Sequence, residues 1–305
     1  MSVLHSLPEL SAIPGPVVLA IGVFDGVHLG HRAVIERALA DARQVNGTAV
    51  VVTFDPHPIR ILRPEHAPRL LTSTGHKIRL IRDLGVEHLL ILPFTPELAC
   101  TPPEDFIRSL AHACRPLIEI CVGHQWSFGK GRAGNLDLLN RLGDELGFDE
   151  VGVHAVQVGD QIVSSTLVRR AVESGDLATA ALFLGRPYPI LGTVTEGDRL
   201  GRTIGFPTAN LGAHNEQFPP NGVYAVDVDW CGKPFRGVAN IGVRPTIANA
   251  SGQRIIEVHL FDFNAEIYGE NLEVTFRRFL RPEMKFASLE ALRAQIVEDV
   301  TQARA

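Results

Sequence analysis

Cysteine is scarce in this chain of 305 residues: Cys100, Cys114, Cys121 and Cys231 stand far apart, with no Cys-x-x-Cys pair. That spacing argues against zinc fingers and disulfide frameworks and predicts reduced, mostly buried thiols with no chemistry of their own. Long apolar runs are missing as well. No stretch approaches the length needed to cross a bilayer, and residues 1–19 show no basic region ahead of an apolar one, so a cytoplasmic protein without a membrane partner is expected. Charge of one sign is concentrated nowhere. With 29 Lys and Arg against 34 Asp and Glu, a formal net charge of -5 and no block of like charges, no nucleic-acid surface is expected. What the chain does have is length, which exceeds one comfortable core and predicts two domains.

The most informative stretch is Gly22-Val23-Phe24-Asp25-Gly26-Val27-His28-Leu29-Gly30-His31. The apolar run 17–23 reads as a buried strand and the amphipathic run 33–42 as a helix, so both histidines stand where a strand hands over to a helix. The first N–H groups of a helix lack partners and the dipole there is positive, which suits a phosphate. Gly22, Gly26 and Gly30 let the backbone approach a ligand. His28 and His31, three apart, can aim imidazole N–H donors at one anion.

Strand-like runs then alternate with helix-like ones: strands at 47–54, 88–93, 117–122 and 151–156, helices at 74–84, 103–113 and 136–146, with Thr101 as a cap-like residue before 103–113. Such βα repetition predicts a parallel sheet. Asp55-Pro56-His57-Pro58 closes the second strand. Its two prolines argue against an immediate helix and predict a fixed loop at the ligand-binding edge of the sheet, or else a plain rigid turn with His57 in solvent. The glycine-rich segment 122–134 interleaves Trp126 and Phe128 with Lys130 and Arg132, reading either as a ring-stacking, phosphate-meeting loop or as a basic surface loop. Ser164-Ser165-Thr166 with Arg169, at the start of helix-like 168–172, is either an ordinary cap or a second phosphate site.

Gly185-Arg186-Pro187 stops the helix-like run 177–184, and the chain divides there into 1–184 and 185–305. Strand-like runs at 190–195, 223–230, 235–241, 255–261 and 272–279, with Gly, Pro and Asn turns between them, predict an antiparallel barrel followed by one amphipathic helix at 290–300. Gly197, Gly201 and Gly205 with Arg199 and Arg202 form a loop able to wrap phosphates. Thr208 and Asn210, alternate residues of a short extended piece, offer two hard oxygen ligands of the kind Mg²⁺ accepts, or tie down a turn, which is the commoner use. Glu257 shares a strand face with His259 and Phe261, as a general base or simply as the solvent side. Arg281 precedes Phe286 in a tail that suits a lid over a flat ligand or ordinary snorkelling.

In this order the ten residues from Gly22 to His31, Thr53-Phe54-Asp55-Pro56-His57-Pro58, Phe128-Gly129-Lys130-Gly131, Ser164-Ser165-Thr166, Leu184-Gly185-Arg186-Pro187-Tyr188, Gly205-Phe206-Pro207-Thr208-Ala209-Asn210 and Asn240-Ile241-Gly242-Val243-Arg244-Pro245-Thr246 resemble the bacterial bifunctional riboflavin kinase/FMN adenylyltransferases, the prokaryotic FAD synthetases. The resemblance implies an α/β Rossmann-like nucleotidyltransferase domain that moves AMP from ATP to FMN. It implies, next, a mainly antiparallel β-barrel riboflavin kinase domain with a C-terminal helix. Riboflavin, FMN and ATP are then the ligands and Mg²⁺ the metal.

The residue roles follow from the same likeness. His28 and His31 would hold the ATP phosphates, with Gly22, Phe24, Asp25 and Gly30 about the nucleotide and Ser164, Ser165, Thr166 and Arg169 as a second phosphate motif. Phe54, Pro56, Pro58, Gln125, Trp126 and Phe128 would take the flavin of the first domain, and Arg281 that of the second. In the kinase, Gly197, Arg202 and Gly205 would meet the nucleotide, Thr208 and Asn210 the metal, and Glu257 would be the base. Gln125 stands where the family usually has Asn or Asp, Trp126 where Phe is usual, and Leu167 where Arg is frequent. These departures leave two alternatives open: a riboflavin kinase with weak or lost adenylyltransferase activity, and a non-catalytic flavin-binding protein.

Overall fold

The computed structural model describes residues 1–196, 201, 204–246 and 249–305, the side chains of 244–246 and 249–253 excepted. Two compact units emerge: Met1–Pro68 with Thr74–Ser164, and Arg69–Ser73 with Ser165–Ala305.

The first unit contains strands β1 (Ser2–Leu4), β2 (Val17–Ile21), β3 (Thr48–Asp55), β4 (His88–Pro93), β5 (Leu117–Gly123) and β6 (Asp149–Val153). Its helices are α1 (Leu29–Gln44), α2 (Pro58–Leu62), α3 (Thr74–Arg82), α4 (Pro96–Ala99), α5 (Pro103–Ala113) and α6 (Leu136–Leu146). All six strands pair in parallel, in the order β1-β4-β3-β2-β5-β6. Apart from the added edge strand β1, this is doubly wound topology, in which the chain runs outward from β2 on one side and then returns to its other flank. The switch point is the crevice between the carboxyl ends of β2 and β5.

Side-chain alternation explains why this sheet is buried on both faces. Val17, Leu19 and Ile21 enter one core with Ile107, Leu110 and Leu139 of α5 and α6. Val18 and Ala20 enter the other with Val34, Ile35 and Ala38 of α1 and Ile81 of α3. Each valine, leucine or isoleucine among them, nearly inaccessible, contributes roughly 1.5–3 kcal/mol by leaving water. Helix termini follow sequence cues: Asn135 accepts the N–H of Leu138 to start α6, and Gly147 ends it at φ 80.

Two local expectations are corrected. The prolines after β3 do not hold off a helix: α2 starts at Pro58, with the His57 ring accepting the Ile59 N–H at 3.3 Å. Proline is suited to a helix's first turn, where its missing N–H is no loss. Nor does Thr101 cap α5, whose N-cap is Pro102; the Thr101 hydroxyl donates back to the Glu97 carbonyl at 3.2 Å. The thiols divide evenly, with Cys114 and Cys121 buried and Cys100 and Cys231 exposed.

A short hairpin of β7 (Gln157–Val158) and β8 (Gln161–Ile162) precedes α7 (Ser165–Ser174) and α8 (Leu177–Leu184). The second unit then builds β9 (Pro189–Thr195), β10 (Ala209–Ala213), β11 (Gly222–Trp230), β12 (Lys233–Thr246), β13 (Asn249–Leu260) and β14 (Asn271–Arg281), followed by α9 (Leu289–Arg304). These strands close a barrel in the order β10-β13-β12-β11-β14-β9, antiparallel throughout. Val223, Ala225 and Val238 face outward against Ala303 and Val300 of α9. Segment Arg69–Ser73 belongs to this unit because Leu71 is claimed by it: its carbonyl accepts from the Asn215 amide at 2.5 Å and the Tyr188 hydroxyl at 3.3 Å.

Candidate functional site

The chain leaves β2 through a tight turn before α1. Phe24 (φ 52) and Val27 (φ 42) take left-handed backbone conformations that non-glycine residues rarely adopt, a form of strain that collects at functional sites. The Phe24 ring folds back over Gly22, where a Cβ would come within 2.7 Å of it. His28 is the N-cap of α1, and its Nδ1 accepts the His31 N–H at 3.3 Å. A ring nitrogen that accepts carries no proton, so the ring proton of the imidazole sits on Nε2. The His31 ring stacks on that of His28 with centroids 3.6 Å apart, and meets the edge of Phe24 at 5.3 Å. Asp25 and His28 are buried. A Cβ on Gly30 would stand 3.2 Å from the His28 ring and 3.7 Å from the Val163 carbonyl, so the chain entering Ser164 runs beside this turn.

Behind the turn lies a residue that the pattern of the sequence did not single out. Lys77 of α3 is buried, and its Nζ donates to the Val23 carbonyl at 3.0 Å and to the Thr53 hydroxyl at 3.4 Å. Burial holds its pKa below the ordinary lysine value, opposed by the carboxylates of Asp25 and Asp55. The available signal was that Lys77 stands four residues before Ile81, on the buried stripe of its helix.

An apolar cavity of about 390 Å³ opens at the carboxyl ends of β2, β3 and β4 and the loop after β5. Phe54, Pro58, Gln125, Trp126 and Phe128 line it, as does Val23; Pro56 is not among the lining residues. Trp126 and Phe128 stack at 4.3 Å, and Phe54 packs against Phe94 and Phe106, two aromatics absent from the sequence reading. Arg132 is the cavity's guanidinium, with Nε donating to the Ser127 hydroxyl at 2.8 Å. Aromatic walls with few polar groups suit a flat ring system. Ser164 ends the first unit, while Ser165, Thr166 and Arg169 open α7 in the second, where Arg169 donates to the Arg69 carbonyl at 2.8 Å.

In the barrel unit, a cleft of about 340 Å³ separates the outer barrel face from α9. Strand register places Asn210, Glu257 and Asn240 in one row across β10, β13 and β12, and all three line the cleft with Thr208, His259 and Arg281. Asn240 as a lining residue follows only from strand pairing, which the sequence does not display. Nδ1 of His259 lies 2.8 Å from the Pro207 carbonyl and therefore donates to it, fixing the approach to Thr208. Gly201 closes on the same point, since a Cβ there would stand 3.3 Å from the Thr208 hydroxyl. Arg281 is held by a forked ion pair with buried Asp299, at 2.8 and 2.8 Å, and lies over Phe286 at 5.7 Å. A second cavity of about 300 Å³ shares Thr208 with the first and is lined by Pro207, Phe263, Asn264 and Tyr268. Gly205 forms a turn at φ 89; Gly197 and Arg202 lie outside the described residues.

A doubly wound unit with two stacked histidines at its strand-to-helix turn, followed by an antiparallel barrel with a carboxylate and oxygen donors along a cleft, has the make-up of a two-unit transferase. Comparison sharpens each half: residues 10–167 match the FAD synthetase family and residues 184–305 the riboflavin kinase family. The chain belongs to the family of bifunctional riboflavin kinase/FMN adenylyltransferases. The relative of that description from Escherichia coli K12 is 40% identical over 100% of this chain and 97% of its own length. Those from Pseudomonas fluorescens and Bacillus subtilis are each 38% identical, covering 100% and 94% of this chain and 97% and 91% of theirs. A solved structure from Streptococcus pneumoniae, described as a macrolide-efflux protein, is similar with a TM-score of 0.86 at 30% identity over 99% of this chain and 98% of that one. No helix among the described residues here is long and apolar enough to cross a membrane.

Proposed function

We infer that this protein makes FMN from riboflavin at the barrel and FAD from FMN at the doubly wound unit, spending one ATP in each reaction. The observation that carries the reading is that one chain holds both an aromatic cavity beside the His28–His31 turn and a Glu257-bearing cleft against α9.

In the barrel, riboflavin occupies the cleft with its ribityl 5′-hydroxyl toward Glu257. Glu257 takes the hydroxyl proton as the oxygen attacks the γ-phosphorus of ATP, and ADP leaves. Thr208, which lines both cavities, marks the meeting point: the acceptor enters from the cleft and the nucleotide from the cavity of Phe263 and Tyr268. The hydroxyl of Thr208 and the amide oxygen of Asn210 are hard donors and fit Mg²⁺, which when bound offsets negative charge on the phosphates. Arg281, fixed by Asp299, supports the flavin.

In the first unit, the FMN ring enters between Phe54, Trp126 and Phe128. A phosphate oxygen of FMN attacks the α-phosphorus of ATP, the bond to the β-phosphate oxygen breaks, and pyrophosphate leaves. No covalent enzyme intermediate is needed. His28 Nε2–H, His31 and the free N–H groups of α1 stabilise charge as it moves onto the phosphate oxygens. Ser164, the last residue of this unit, supplies a second phosphate contact. The use of ATP in both steps, with four free thiols, fits the cytoplasm.

The test is direct. Purified protein is incubated with riboflavin, ATP and Mg²⁺, and flavins are resolved by chromatography over time. FMN should rise first and FAD follow. FMN without FAD would leave only the kinase half of the reading, and neither product would leave a flavin-binding protein.

A further inference from the structure

The Val23 carbonyl lies two residues beyond the end of β2. Pairing with β3 runs through Ile21 opposite Val52, and Gly22 still donates to the Val52 carbonyl at 3.1 Å. Its partners among the described residues are side chains: it accepts from Lys77 Nζ at 3.0 Å and from the Thr53 hydroxyl at 2.9 Å. The next residue, Phe24, turns left-handed at φ 52, and four residues later His28 caps α1. Val23 also lines the flavin cavity, so one peptide group joins the flavin wall to the phosphate turn.

We propose that Lys77 is a positioning residue for adenylyl transfer, its ammonium clamping the Val23 carbonyl so that the turn carries His28 and His31 in register with the phosphate chain. The proposal rests on the adenylyl-transfer reading of this turn. Burying an ammonium is costly, and a methionine would fill the same channel without that cost, so packing alone does not call for a lysine. Asp25, on the turn itself, and Asp55, at the end of β3, supply the compensating field. The lysine thus ties the turn, β3 and α3 together by charge at the point where backbone pairing ends.

The test is Lys77→Met in the full chain, with FAD formation measured from supplied FMN and FMN formation measured in the same preparation as a control on folding. FAD kcat should fall by about tenfold or more, as expected when a catalytic group is misplaced, with KM for ATP changed less than about threefold and kinase turnover unchanged. FAD kcat within about twofold of the parent overturns the proposal, as does a rise in KM for ATP alone, which would report ground-state binding. Should Lys77→Met lose kinase activity as well, Thr53→Val decides. It removes the companion bond to the Val23 carbonyl at nearly constant volume; a drop in FAD kcat of about threefold or more supports the clamp, and no drop overturns it. A parent protein that makes FMN and no FAD would instead sink the adenylyl-transfer reading itself.

Discussion

Nδ1 of His28 accepts the backbone N–H of His31 at 3.3 Å while the two imidazoles stack at 3.6 Å, so one side chain both starts α1 and fixes the ring beside it. His28→Ala removes a cap worth about 1 kcal/mol and, on the proposed mechanism, a phosphate donor worth about 10²–10³ in rate. His28→Asn restores the cap alone. Both variants should lose FAD formation and keep FMN formation, measured by chromatography from riboflavin and ATP. Recovery of FAD synthesis in the Asn variant would reduce His28 to a cap.

Glu257 lies between Asn210 and Asn240 in the strand register, on the wall of the barrel cleft. Glu257→Gln keeps shape and hydrogen bonding but cannot accept the hydroxyl proton. Kinase turnover should fall by about 10²–10⁴, while FAD formation from supplied FMN continues unchanged. Unaltered riboflavin phosphorylation would take Glu257 out of the mechanism.

Asp299 on α9 is 4% exposed in its side chain and Arg281 15%, and their forked pair spans strand and helix. Breaking a buried pair from one side leaves the other charge uncompensated, at a cost of about 3–5 kcal/mol. Asp299→Ala should therefore lower the unfolding midpoint of the barrel unit in denaturant. It should also raise KM for riboflavin more than it lowers kcat, because in the proposed mechanism Arg281 supports the ring and not the transferred phosphoryl group.

Those residues differ in how far the sequence revealed them. The strand-to-helix handover at His28 and the period-two face of Glu257 are local patterns, and a local pattern survives in one dimension. Asn240 reaches the cleft through the register of β12 against β13, which sets it beside Glu257, and pairing register is invisible to periodicity. Lys77 is hidden by its own helix: periodicity marks the apolar stripe of α3, and a lysine standing on that stripe carries no local sign of the carbonyl it meets. Phe94 and Phe106 join Phe54 through packing between separate elements. The short helix at Pro58 runs against the breaker rule for proline because proline is also a first-turn residue.

Cys114 and Cys121, which the chemistry leaves unused, report on the fold itself. Burial pushes the Cys114 thiol up to about 12; Cys121 is pushed up further by burial and by its contact with the Glu119 carboxylate. At pH 8 a thiol of that kind is ionised in about one molecule in ten thousand, so only Cys100 and Cys231 should react promptly with a thiol reagent. The buried pair should react at the rate at which the first unit opens. The sign of the pH effect follows. In the unfolded chain these thiols ionise near their ordinary value, while the folded chain still holds their protons. Stability is therefore whole below about pH 8.5 and falls as pH rises toward 12, by about 1.4 kcal/mol per pH unit for each thiol. Cys114→Ala should flatten the alkaline limb of the stability curve by one such slope, at the expense of a small cavity; an unchanged limb would show that the thiol does not keep its proton in the fold.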